Sequence, residues 1–176
     1  MFGKYEPLNF QKWIDEHRHL LKPPVGNKVI WSDREFIVMV VGGPNERTDF
    51  HVNQGEEFFY QIEGNMTLKI VDDQKKMRDI RIRQGEIYLL PPNTPHSPQR
   101  EAETIGLVIE RKRRDNELDG LQWYCEKCGE KLYEEFFKLV NIETQFPEVF
   151  EKYFNSEHTK CRHCNTLNGR KWNVKN

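Results

Sequence analysis

Between Asn27 and Glu110 the chain alternates short apolar runs with turn residues. The runs cover Asn27–Trp31, Phe36–Val41, Thr48–Val52, Glu56–Glu63, Met66–Val71, Ile80–Arg83, Ile87–Leu90 and Ile105–Glu110. They break at Gly42-Gly43-Pro44, Asn53-Gln54-Gly55, Gly64-Asn65, Asp72-Asp73 and Gln84-Gly85. Many short β-type runs at this spacing predict an antiparallel sandwich or barrel. Ahead of them, residues 9–21 carry apolar side chains at 10, 13, 14, 20 and 21. That is the period of a short amphipathic helix, with Asn9 as N-cap, Pro23-Pro24 as stop and His17 and His19 exposed. Residues 111–120 read as a charged, solvated linker, and a second helix is expected near Pro147–Phe154. The division expected is 1–118 for the barrel with its N-terminal helix and 119–176 for a C-terminal extension.

Composition narrows the class. The 176 residues are 36% hydrophobic and 31% charged, enough apolar material for one modest core. No run approaches the roughly 18–20 apolar residues of a spanning helix. The start, MFGKYEPLNFQKW, lacks the basic end and apolar stretch of a signal peptide, so a cytoplasmic location is expected. A net charge of −1 gives no reason to expect nucleic acid or an anionic membrane as partner. All four cysteines, Cys125, Cys128, Cys161 and Cys164, lie in the last third, which favours metal over disulfides in a chain without an export signal.

Two stretches carry the chemistry: Gly43-x7-His51-x-Asn53-x3-Glu57-x6-Gly64 and Gly85-x5-Pro91-x-Asn93-x2-His96. The pair resembles the two signature motifs of the cupin superfamily, which implies an all-β jelly-roll barrel. The first motif of that superfamily usually carries a second histidine where this chain has Asn53. Its loss leaves His51, Glu57 and His96, two imidazoles and one carboxylate, the ligand set of non-haem iron(II) oxygenases with open coordination positions. Arg47, Asp49 and His51 share one parity and so one strand face. Glu56 would replace Glu57 only if the register slipped by one. Arg47 lies four residues before His51 and Arg100 four after His96, so two guanidinium forks flank one metal and imply an anionic substrate, most simply a carboxylate. Glu110 is either a proton acceptor or the partner of an arginine.

The strings Leu21-Lys22-Pro23-Pro24-Val25-x-Asn27, Val41-Gly42-Gly43-Pro44-Asn45-Glu46-Arg47-Thr48-Asp49-Phe50-His51, Tyr88-Leu89-Leu90-Pro91, Thr94-Pro95-His96-Ser97-Pro98 and Trp123-Tyr124-Cys125 resemble the 3-hydroxyanthranilate 3,4-dioxygenase family. The resemblance implies catalytic iron(II) on His51, Glu57 and His96 and a substrate carboxylate on Arg47 and Arg100. It also implies proton handling by Glu110 and a pocket lined in part by Asn27 and Phe59. The substrates would be a small aromatic acid and O2, and the product would feed quinolinate and NAD synthesis through the kynurenine route. A homodimer is the family expectation. Other cupin chemistries, thiol dioxygenation or sugar isomerisation, are disfavoured by the two arginines and Glu110. A metal-dependent sensor lacks the DNA-binding helix pair it would need.

Cys125-x2-Cys128 and Cys161-x2-Cys164 are separated by 32 residues and make a closed four-thiolate site, rubredoxin-like, for iron or zinc. Sequence does not choose between the two metals. The site is assigned to holding the tail, so Cys125→Ser is expected to loosen the tail and spare ring cleavage.

Overall fold

The structure, a computed structural model, describes residues 5–22, 26–45 and 47–169. Pro23-Pro24, expected to stop the first helix, and Glu46 of the Gly42–Asp49 block lie outside the described residues. Helix α1 spans Phe10–His17, with the Asn9 side chain accepting from the Lys12 backbone N–H, and a single 3-10 turn follows. His17 is not a free surface group: it is half-buried, with its ring stacked on Trp13 at 4.3 Å.

Five strands form one antiparallel sheet: β1 (Asn27–Trp31), β2 (Phe36–Gly42), β4 (Glu57–Glu63), β7 (Ile87–Leu90) and β9 (Ile105–Arg111), in the order β1-β2-β9-β4-β7. The second sheet runs β11-β10-β3-β8-β5-β6, from β3 (Asp49–Val52), β5 (Met66–Val71), β6 (Met77–Ile82), β8 (His96–Arg100), β10 (Asp119–Tyr124) and β11 (Lys131–Phe137). This is the two-sheet jelly-roll expected from the paired motifs.

Alternation decides what each strand contributes. On β5, Met66, Leu68 and Ile70 are buried while Thr67 and Lys69 are half-exposed. The buried set joins Val41, Phe59, Ile82, Leu90 and Val108 in the barrel core. On the outer face of the five-stranded sheet, α1 lays Trp13 and Ile14 over Val40 and Ile105. The other end of that face stays bare, with Phe36, Ile87 and Leu89 more than half exposed.

Three expectations need correction. Residues 96–100, outside the β-type runs read from the sequence, form strand β8, paired with β5. Residues 111–120 are not a solvated linker: Arg111 ends β9, Asp119 opens β10 at 1% exposure, and Arg113 lies between them in a buried ion-pair cluster. Strands β10 and β11 were not expected, and β10 pairs with β3 through Leu121↔His51. The extension from residue 119 therefore continues the barrel sheet.

That continuation fixes the place of the second helix, α2 (Ile142–Phe154). Leu121 and Trp123 pack against Phe146, Val149, Phe150 and Tyr153 of α2. Leu121 lies opposite His51 in the ladder, so α2 covers the same sheet face that carries His51.

Candidate metal centre

Two cross-strand pairs create the centre. His51 on β3 is the direct partner of His96 on β8, and Glu57 on β4 is the direct partner of Glu110 on β9. The first pair belongs to one sheet and the second to the other. His51 and Glu110 stand near strand ends, Glu57 and His96 at strand starts, so antiparallel pairing gathers all four at one end of the barrel. All four are buried, whereas Glu56 is exposed, and the register therefore selects Glu57.

One ligand atom from each of His51, Glu57 and His96 lies within 4.8 Å of the others. His96 Nε2 is 3.1 Å from Glu57 Oε2, yet that oxygen is buried with no hydrogen-bond donor. The two atoms are thus in contact without meeting hydrogen-bond geometry. Metal bonds of about 2.1 Å put neighbouring ligand atoms about 3 Å apart, so the spacing and the undonated oxygen both fit a cation. Burial opposes charge on Glu57, but His96 and His51, with Arg113 further off, outweigh it and hold the carboxyl below its usual range. For His51, burial prevails over the Asp119 hydrogen bond and lowers the imidazole pKa. Burial also disfavours charge on His96, and the Glu57 carboxylate more than offsets it.

The surrounding shell contains residues that sequence reasoning missed. Asp119 accepts from His51 Nε2 at 2.6 Å, the carboxylate-on-imidazole contact that orients metal-binding histidines. Asn53, in the place of a second histidine, turns to Glu110: its Nδ2 donates to Oε2 at 3.0 Å. Arg113 donates to the other Glu110 oxygen at 2.6 Å. Glu110 is thus paired with an arginine, but burial and the nearby Glu57 charge still push its pKa up against that pull. Phe146 of α2 stands 5.4 Å from the His51 ring centre and 5.9 Å beneath the Arg47 guanidinium. Arg113 lies in a basic run that reads as solvated, and Asp119 and Phe146 reach the centre through long-range pairing, so none of the three carried a signal in the sequence.

The two candidate anion-binding arginines differ. Arg47 already has a carboxylate, since its Nε donates to Asp49 Oδ1 at 3.1 Å. Arg100 is 4% exposed and donates through Nη1 to Gln61 at 3.0 Å, while its Nε has no acceptor. Burial draws its pKa down to about 10, still far above neutrality, so the charge persists. Phe59 is 2% exposed and meets His96 edge-on at 6.4 Å. Asn27 opens β1 opposite Val41 and is exposed.

The four cysteines form a second cluster. Cys125 and Cys164 Sγ are 3.5 Å apart, Cys128 and Cys161 Sγ 3.6 Å, and all four lie within 4.8 Å of one another. Thiolates at about 2.3 Å from one tetrahedral ion would sit about 3.8 Å apart, so the set fits a closed site. The two knuckles share one turn: Gly129 and Asn165 each lie four residues after a first cysteine, at φ 75° and 60°, and each donates its N–H to that cysteine's carbonyl at 2.8 Å.

The sequence model of the 3-hydroxyanthranilic acid dioxygenase family matches residues 1–154. A protein of Xanthomonas euvesicatoria pv. vesicatoria named 3-hydroxyanthranilate 3,4-dioxygenase is 60% identical over 162 residues, which cover 92% of this chain and 91% of that protein. One of Burkholderia cenocepacia with the same name is 48% identical over 168 residues, 94% of this chain and 93% of that protein. Among solved structures, a cupin-2 domain containing protein from Shewanella frigidimarina is 20% identical with a TM-score of 0.47, over 56% of this chain and 92% of that one. Among the described residues no helix is long and apolar enough to cross a membrane.

Proposed function

The chain belongs to the 3-hydroxyanthranilic acid dioxygenase family and is a ring-cleaving dioxygenase, and from that premise we propose that His51, Glu57 and His96 hold a catalytic iron(II) while Arg100 receives the carboxylate of 3-hydroxyanthranilate. The observation that carries this assignment is the pairing of a buried guanidinium lacking a carboxylate with a buried carboxylate oxygen lacking a donor, Arg100 and Glu57, inside one barrel. Each such buried group is costly when unpartnered, and a ligand of opposite charge removes the cost. Iron(II), when bound, supplies open positions where a chelating ring and O2 react side by side.

The chain's own residues do the rest. Arg100 and Arg47 orient the substrate through its carboxylate, Arg100 as the free fork and Arg47 as a fork shared with Asp49. Glu110, with its raised pKa, takes the phenol proton; a carboxyl shifted toward neutrality is a stronger base than an ordinary one. Phe59 and Phe146 exclude water from the centre, and Asn27 contributes at the rim. The ring opens beside the hydroxyl-bearing carbon, both oxygen atoms enter the product, and 2-amino-3-carboxymuconate semialdehyde, the quinolinate precursor, is released. The test is anaerobic loading with iron(II), followed by 3-hydroxyanthranilate and O2. The expected result is a ring-opened chromophore with one O2 consumed per substrate; full activity without iron contradicts the assignment.

The residues from 119 onward act as an extension whose four thiolates hold iron or zinc. The geometry revises what its loss should do. Because α2 sets Phe146 against His51 and Arg47, Cys125→Ser should raise the KM for the aromatic acid several-fold while keeping kcat, instead of leaving both untouched. Steady-state kinetics on the folded variant check this, and an unchanged KM contradicts it. A homodimer belongs to the same proposal, supported by the bare apolar face at Phe36, Ile87 and Leu89; a monomer mass in solution contradicts it.

A further inference from the structure

We propose that Arg113 is a positioning residue that fixes the proton-accepting carboxylate and the metal-binding imidazole relative to one another through a single guanidinium. The proposal rests on the assignment of His51 to iron and Glu110 to the proton. Arg113 divides its donors: Nε and Nη2 reach Asp119 Oδ2 at 3.2 and 2.9 Å, with Nε also 3.0 Å from Oδ1, and Nη1 reaches Glu110 Oε1 at 2.6 Å. Asp119 then holds His51 Nε2 at 2.6 Å, and Asn53 holds the remaining oxygen of Glu110 at 3.0 Å. The chain Asn53–Glu110–Arg113–Asp119–His51 is continuous, and its arginine side chain is 16% exposed.

Physical necessity supports the arrangement. Glu57, Glu110 and Asp119 bring three carboxylates to one buried region, at 8%, 7% and 1% exposure. Arg100 bonds Gln61 and Arg47 bonds Asp49, whereas Arg113 is the cation that joins Glu110 to Asp119. The planar fork suits the task because its edge grips one carboxylate bidentately while the third nitrogen points away at a fixed angle. A lysine ammonium has three donors on one atom but no planar fork, so it cannot grip Asp119 bidentately while aiming a separate nitrogen at Glu110. No role in touching substrate follows from this geometry; Arg113 acts through its neighbours.

The two arms of the network have separable readouts. With the cysteine site filled with zinc, anaerobic iron(II) titration of the apoenzyme reports the His51 arm, and kcat at saturating iron reports the Glu110 arm. Asp119→Asn should weaken iron binding about 10- to 100-fold, the range for loss of an outer partner of a metal-binding histidine. Glu110→Gln should lower kcat and leave iron binding within twofold. Arg113→Met should do both, with the substrate KM little changed. Arg113→Lys should recover part of one property only and keeps the network charged if the methionine variant does not fold. Arg113→Met combined with Asp119→Asn should weaken iron binding by less than the product of the single effects. Normal iron affinity and kcat in Arg113→Met, beside impaired Asp119→Asn and Glu110→Gln, would overturn the proposal, as would fully multiplicative effects in the double variant. If Asp119→Asn and Glu110→Gln themselves behave as the parent, the assignment of His51 and Glu110 falls and takes the proposal with it.

Discussion

Replacing His51 by alanine should leave the barrel unable to retain iron(II) and end ring cleavage, with the four-cysteine metal still in place. Three protein atoms define the centre, and His51 is the one that ties it to both the β3–β8 pair and Asp119. Losing an outer partner of a metal-binding histidine costs about 10- to 100-fold in affinity, and losing the imidazole itself removes a bond as well as that partner's purpose. Asp119 would keep Arg113, so its charge stays compensated and the fold should survive. Metal content after anaerobic loading, measured beside O2 uptake, decides the matter. A folded His51→Ala protein with one barrel iron and parental turnover contradicts the centre described above.

The second large effect belongs to Arg100. Arg100→Met should raise the KM for 3-hydroxyanthranilate about 100-fold and leave iron content unchanged. Removing one member of a buried, hydrogen-bonded charge pair costs about 2–5 kcal/mol, and every 1.4 kcal/mol is tenfold. Arg47→Ala should raise KM less, because Asp49 already occupies part of that fork. Arg100→Met carries a second signature. The guanidinium is buried beside a glutamine with its Nε unpaired, so an apolar side chain of similar length should raise the melting temperature measured without added substrate as it ruins binding. The backbone is shaped for the arginine: a Cβ at Gly106 would stand 2.6 Å from Arg100 Nη1. A fall in both stability and iron content in Arg100→Met would show that Arg100 serves the fold instead of the substrate.

The centre was legible in the sequence where it depends on short-range spacing. His51, Glu57 and His96 sit at intervals set by strand–turn–strand geometry, and alternation placed Glu57 inside and Glu56 out. Asn93 of the second motif adopts φ 59°, a left-handed conformation that asparagine tolerates better than most residues. What escaped depends on partners far along the chain. Strand β8, His96-Ser-Pro-Gln-Arg, has no β-branched residue and a central proline, so its strand character comes from its ladder with β5 rather than from propensity. Arg113 hid in a run of four basic residues, where solvation is the ordinary outcome. Its burial follows only from β10 turning back beside β3 and delivering Asp119, 68 residues from His51. Phe146 was hidden for the same reason, since α2 reaches His51 through a sheet extension in which only Leu121-Gln122-Trp123 alternates and β11 does not.

The paired knuckles have a consequence for when the enzyme meets the entropic cost of its own pocket wall. They bring Cys125, Cys128, Cys161 and Cys164 within 4.8 Å of one another, so an ion held by the four thiolates would close a loop with α2 in its middle. A covalent crosslink closing a loop of this length restricts the unfolded chain by about 4 kcal/mol, and a four-thiolate ion is a clip of the same kind. With that ion in place, the ordering of Phe146 would be completed during folding. Substrate would then meet a preorganised wall and spend none of its binding energy on assembling it.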